Sequence, residues 1–142
     1  MAVMNINVFS VMLRHGMDVT VVLPDDIDEG EQLKCVWLYH GGSGDNTEWL
    51  YHTPLVDTVE KRHFAAVLPN VDDSCFVNMN IGNKYENYVA KELPSIIWNM
   101  FKCISDKRED NYVSGYSGER DKYRGRKGTA ALGGWYKLSS VP

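Results

Sequence analysis

Leu38-Tyr39-His40-Gly41-Gly42-Ser43-Gly44 and, about seventy residues later, Tyr112-Val113-Ser114-Gly115-Tyr116-Ser117-Gly118 are the two stretches whose reading decides the fold. Each is a short apolar run that opens into glycines. The first ends in His-Gly-Gly, a loop able to aim backbone N–H groups at a developing negative charge. The second ends in Gly-Tyr-Ser, where Gly115 leaves room for a sharp strand-to-helix turn that lifts Ser117 clear of the sheet. A nucleophile and two amide donors, those of Gly42 and Gly118, are thereby supplied at two strand ends.

The flanking sequence sets both runs in an alternation of strands and helices. Met4, Ile6 and Val8 alternate with Asn5 and Asn7, and Val19 to Leu23 is a β-branched run closed by Pro24, which predicts two opening antiparallel strands. Asp25 to Glu31 is polar and turn-rich and reads as a surface loop. Cys35 to Tyr39 is continuously apolar, as expected of a strand covered on both faces. Glu48 to Arg62, with Asn46 or Thr47 as N-cap, has a loose helical period interrupted by Pro54 and predicts two short helices. Phe64 to Leu68 reads as a further buried strand. Tyr85 to Phe101 reads as a long helix with a kink or restart at Pro94. Asp106 to Asp110 is a charged turn, and Asn111 to Ser114 is the strand that delivers Ser117. The pattern predicts an α/β fold with a mixed, mostly parallel sheet and flanking helices, whose ligands collect at the carboxyl ends of the strands.

A chain of 142 residues, 44% apolar and 24% charged, can bury one core. The apolar stretch Met1 to Leu13 is broken by Asn5 and Asn7 and has neither a basic leader nor a small-residue cleavage site, so neither a signal peptide nor a membrane span is expected and the chain is read as cytoplasmic. Three widely spaced cysteines, Cys35, Cys75 and Cys103, fit reduced thiols better than a disulfide framework or a metal site. The charge is uneven. Up to Ser117 there are 9 Lys and Arg against 17 Asp and Glu, and from Gly118 onward 6 against 2. Residues 118–142 are therefore read as an atypical basic tail, solvated or poorly ordered, with no recognisable nucleic-acid module.

From Met1 to Ser117 the chain resembles the esterase family of α/β-hydrolases that includes tributyrin esterases, S-formylglutathione hydrolase (esterase D), feruloyl and acetylxylan esterases and the mycolyltransferases, with the tributyrin-esterase branch nearest. The stretches that carry the resemblance, beyond the Ser117 elbow, are Met1 to Met4, Leu38 to Asp45 with Trp49, Val67 to Asn70, Tyr85 to Tyr88 leading into Glu92-Leu93-Pro94, and Arg108 to Asp110. It implies residues 1–117 as the N-terminal part of an α/β-hydrolase domain. It also implies a carboxylic-ester hydrolase for small-molecule short acyl esters or acylated sugars, working without metal or organic cofactor. Ser117 matches the nucleophile and Gly42 the first oxyanion residue.

Beyond Ser117 the family pattern breaks. The elbow of the family continues as Ser-Met-Gly-Gly, whereas here Glu119 stands where a small residue is required. No histidine follows Ser117, and Asp121 is the one later aspartate. His40 is read as orienting the His-Gly-Gly loop, and His15, His52 and His63 as surface or helix-end residues, so the triad lacks its base. The compositional change suggests a shifted reading frame or early end in an esterase gene. A truncated sheet would expose edges and apolar faces, favouring a homo-oligomer. Two readings are carried forward: a serine carboxylesterase by descent, weak or inactive as this chain, and a non-catalytic α/β binding or oligomerisation module. Asp72, Asp73, Tyr85 and Tyr88 are candidates for the border of the cleft or, equally, loop and helix-face residues.

Overall fold

The computed structural model describes residues 1–40, 45–70, 88–115 and 136–137. The described strands form one sheet in the order β1-β2-β4-β3-β5-β6. These are β1 (Ala2–Ser10), β2 (His15–Leu23), β3 (Cys35–Tyr39), β4 (Ala65–Pro69), β5 (Asn111–Gly115) and β6 (Tyr136–Lys137). The first two make an antiparallel hairpin in unbroken register from Ala2↔Leu23 to Ser10↔His15, and β2 continues antiparallel onto β4. The centre, β4-β3-β5, is parallel.

Two hydrophobic cores, one on each face, account for the strand sequences. On β3 the residues Cys35, Trp37 and Tyr39 face one core and Val36 and Leu38 the other, so no polar residue is tolerated and the run is apolar throughout. On β1 only alternate residues are covered. Met4, Ile6 and Val8 pack against the first core while Val3, Asn5, Asn7 and Phe9 are exposed, which is the alternation legible in the sequence.

The predicted pair of helices is present as α1 (Glu48–His52) and α2 (Leu55–Arg62), separated at Pro54. On α2, Leu55 and Val59 lie one turn apart and pack with Val22, Leu38, Ala66 and Leu68. The helix stops at His63, whose left-handed backbone (φ 55°) lets its N–H reach the Val59 carbonyl at 2.9 Å.

On the opposite face α3 (Leu93–Met100) buries Leu93 and Ile97 in the first core. The helix expected from Tyr85 breaks one residue before Pro94. Tyr88–Glu92 forms a π-helical turn and α3 restarts at Leu93, placing Pro94 in a first turn where its missing N–H costs no helical bond. The Glu92 carboxylate accepts from the Ser10 hydroxyl and, at 3.2 Å, from the Met12 backbone N–H, so this turn is tied to the β1–β2 connection. Trp98 of α3 meets Trp37 of β3 edge to face, with centroids 6.3 Å apart. The charged turn before β5 is a single 3-10 turn, Arg108–Asp110.

The tail shows one departure from expectation. Its sequence has no strand period, yet Tyr136 and Lys137 pair antiparallel with Val113 and Tyr112 on the outer side of β5. Backbone pairing needs no side-chain period over two residues. Among the described residues no helix is long and apolar enough to cross a membrane.

Candidate active site

β3 and β5 are direct neighbours, parallel and in register, with Leu38 opposite Ser114 and Tyr39 opposite Gly115. Paired strands lie roughly 4.8 Å apart. The chain that continues through His40 into the His-Gly-Gly stretch and the chain that continues to Ser117 therefore leave the same sheet edge from adjacent positions. β3 also lies between β4 and β5, so connections around it run to opposite sides. Such a reversal at the carboxyl ends of parallel strands is where open α/β sheets place their ligands.

Gly42, Ser117 and Gly118 themselves lie outside the described residues, as do Asp72, Asp73, Tyr85, Cys75, Glu119 and Asp121. What is fixed is the ground from which the two loops depart. His40 is buried at 1% exposure immediately after β3. Five residues later the chain is fastened again. Asp45 accepts from the Thr47 backbone N–H at 2.8 Å and from the Thr47 hydroxyl. Asn46, 5% exposed, donates from Nδ2 to Asn5 Oδ1 and Thr20 Oγ1, both at 2.9 Å, reaching across to β1 and β2. Trp49 of α1 donates its indole N–H to the Tyr39 carbonyl at 2.9 Å. These bonds strap the start of α1 to the carboxyl end of β3 through Trp49 and to β1 and β2 through Asn46.

The Thr47 hydroxyl and then the Thr47 backbone N–H hold the Asp45 carboxyl below its usual range, and the His40 ring nearby acts in the same direction. At the other strand, β5 is pinned at its beginning. The fully buried Asn111 donates to the Ser105 and Lys107 carbonyls at 2.9 and 2.7 Å and accepts from the Trp37 indole at 3.0 Å. The His-Gly-Gly loop thus returns onto a buried side chain with satisfied hydrogen bonds, Asn46, while β5 is held at the end away from its loop by Asn111.

Of the residues named as cleft-border candidates, Tyr88 is described and belongs to the core. It is fully buried in the π-helical turn, and its hydroxyl has no hydrogen-bond partner among the described residues. Burial pushes its phenol upward, and the charges of Glu92 and Asp18 push it further. His15, His52 and His63 are exposed, at a strand start, a helix end and a helix cap. Asn46 was read as an alternative N-cap to Thr47, which is the residue found in that place, and the buried hydrogen bonds of Asn46, Thr20 and Asn111 were not foreseen from the sequence. Asn5, Thr20 and Asn46 find each other across 15 to 41 residues, and Asn111 joins the nearby Ser105 and Lys107 carbonyls to the distant Trp37, so an isolated Asn or Thr gives no local signal. Among the described residues no three His, Cys, Asp or Glu side chains come together as metal ligands.

The fluorophosphonate-binding serine hydrolase FphF of Staphylococcus aureus shares this architecture with a TM-score of 0.76 and 30% identity, over 83% of this chain and 48% of its own. Over this span the chain aligns with the esterase family of the α/β-hydrolases. The S-formylglutathione hydrolase FrmB of the same organism gives a TM-score of 0.71 at 30% identity, over 82% of this chain and 47% of that one. In sequence, an acetyl esterase of Caldicellulosiruptor saccharolyticus is 28% identical over 127 residues, 82% of this chain and 47% of the esterase. The chain therefore spans about half the length of the relatives it matches. No protein-family model matches it.

Proposed function

We propose that this chain carries the nucleophile and oxyanion elements of a serine carboxylic-ester hydrolase for short-chain acyl esters or acylated sugars. In this reading the Ser117 hydroxyl attacks the ester carbonyl, its proton passing to a base. The Gly42 and Gly118 amides bind the oxyanion of the tetrahedral intermediate, which collapses as the alcohol departs with the proton returned by the base, leaving an acyl-enzyme that water then cleaves. The observation that supports it is the Tyr39↔Gly115 register, which roots the two motif-bearing loops side by side. Residues 1–117 would form the hydrolase portion and 118–142 an atypical basic tail, in a protein of the cytoplasm.

Loss of a triad base costs on the order of 10⁶ in turnover, and none of the four histidines follows Ser117. The 142 residues by themselves are accordingly proposed to be slow. Hydrolysis of p-nitrophenyl acetate and butyrate by wild type beside Ser117→Ala tests the reading. Activity lost in the variant supports it. Equal rates overturn it in favour of a non-catalytic α/β module, the reading that Glu119 in the elbow favours.

A further inference from the structure

The outer edge of β1 is unprotected among the described strands. β1 ends the strand order, so among the described strands nothing pairs with its far side. Sheet edges of this length are ordinarily blunted by charge, proline or a bulge. β1 has none of these. Its nine residues, Ala2 to Ser10, include no Asp, Glu, Lys, Arg or Pro, and its register with β2 is unbroken. Its exposed face instead presents Val3 at 48% and Phe9 at 66% exposure, with Asn5 and Asn7 between them.

We infer that this edge receives a second copy of the chain, β1 against β1, antiparallel about a twofold axis at Ile6. The strand is self-complementary in that one register. Ile6 meets Ile6 of the second copy, Met4 meets Val8 and Asn5 meets Asn7, while Val3 is covered by the second copy's Phe9. Apolar residues fall opposite apolar ones and amides opposite amides on both faces. A shift by one residue would lose this match.

Charge supports the same direction. The hairpin tip of each copy carries the exposed Arg14, and the opposite end of the strand lies beside Asp25, Asp26 and Glu60, which outnumber the Met1 ammonium that pairs with Asp25 and Glu60 and leave that end net acidic. Antiparallel pairing brings the basic tip of one copy to the acidic end of the other at both ends of the interface, whereas parallel pairing would set like charges together. The two six-stranded sheets become one, and an isologous contact of this kind closes at two subunits.

Sedimentation velocity over a concentration series tests the inference, independently of any esterase activity. The wild type is expected to be a dimer. Val3→Glu with Phe9→Glu sets like charges opposite each other twice and should give a monomer. Val3→Lys with Phe9→Glu sets opposite charges together and should restore the dimer, now weakened by salt. Circular dichroism checks that both variants are folded. A monomeric wild type overturns the inference, and so do two variants that associate equally.

Discussion

Tyr39 and Gly115 stand opposite each other in the β3–β5 ladder, although 76 positions separate them in the chain. The pairing gives two motifs, each ordinary turn chemistry when taken alone, a common point of departure at one sheet edge. Asn46 and Asp45 fasten the chain beside that edge, and Asn111 holds β5 at its far end.

Asn46→Ala removes two hydrogen bonds and leaves Thr20 Oγ1 buried with its remaining bond to Asn5 at 3.3 Å. The expected loss is about 1–3 kcal/mol. Thr20→Val should cost a similar amount, and the double variant less than the sum, because both remove one shared bond. Urea denaturation midpoints with unchanged slope check this. If Ser117 is the nucleophile, Asn46→Ala should also lower kcat more than it raises KM.

Asn111→Ala should be more damaging. It leaves the Trp37 indole and the Ser105 carbonyl without their partner in a buried setting, and the part-buried Lys107 carbonyl without its own. About 2–4 kcal/mol is expected. Asn111→Asp preserves the acceptor for Trp37 but not the two donors, so it should not restore stability in the same denaturation assay.

Acid should dissolve the Asp45 anchor. Its carboxyl is held below its ordinary value near 3.8 by the Thr47 hydroxyl and then the Thr47 N–H. Because the folded pKa is the lower one, the stabilisation is present above the unfolded value and is lost as pH falls through the folded value. The stability difference between wild type and Asp45→Ala should therefore be present at neutral pH and vanish in strong acid. Glu31, lowered by the Asp28 backbone N–H and then by His63, should follow the same direction. A difference that grows in acid would contradict this assignment.

Cys35 should be inert in the native state. It has no exposed surface, and burial and then the neighbouring Cys103 push its thiol far upward. Iodoacetamide at mild alkaline pH, followed by peptide mass mapping, should modify Cys103, which is half-buried, ahead of Cys35. In denaturant both should react at the same rate.

Most of the fold was legible because burial on two faces writes itself into composition. Cys35 to Tyr39 reads as a central strand since it touches both cores, and Pro54 visibly separates α1 from α2. The π-helical turn was not legible. Its apolar spacing matches an α-helix, and Glu92 is tied to Ser10 by a contact 82 residues away in sequence. β6 escaped notice because a two-residue ladder is held by backbone alone. For the candidate site, the strand ends that carry the motifs could be read, whereas the hydrogen bonds made by the buried amides of Asn46 and Asn111 could not. The motif residues Gly42, Ser117 and Gly118 lie outside the described residues, so their legibility rests on the proposed assay.

The interleaved strand order has a consequence for biosynthesis. The β1–β2 hairpin closes from adjacent residues, but β3 must wait for β4 on one side and for Asn111 to Gly115 on the other. At about 5–20 residues per second, a nascent chain would spend seconds with its most apolar strand flanked on one side only. Ribosome-bound lengths that end between β4 and β5 should therefore be the ones that most need a chaperone.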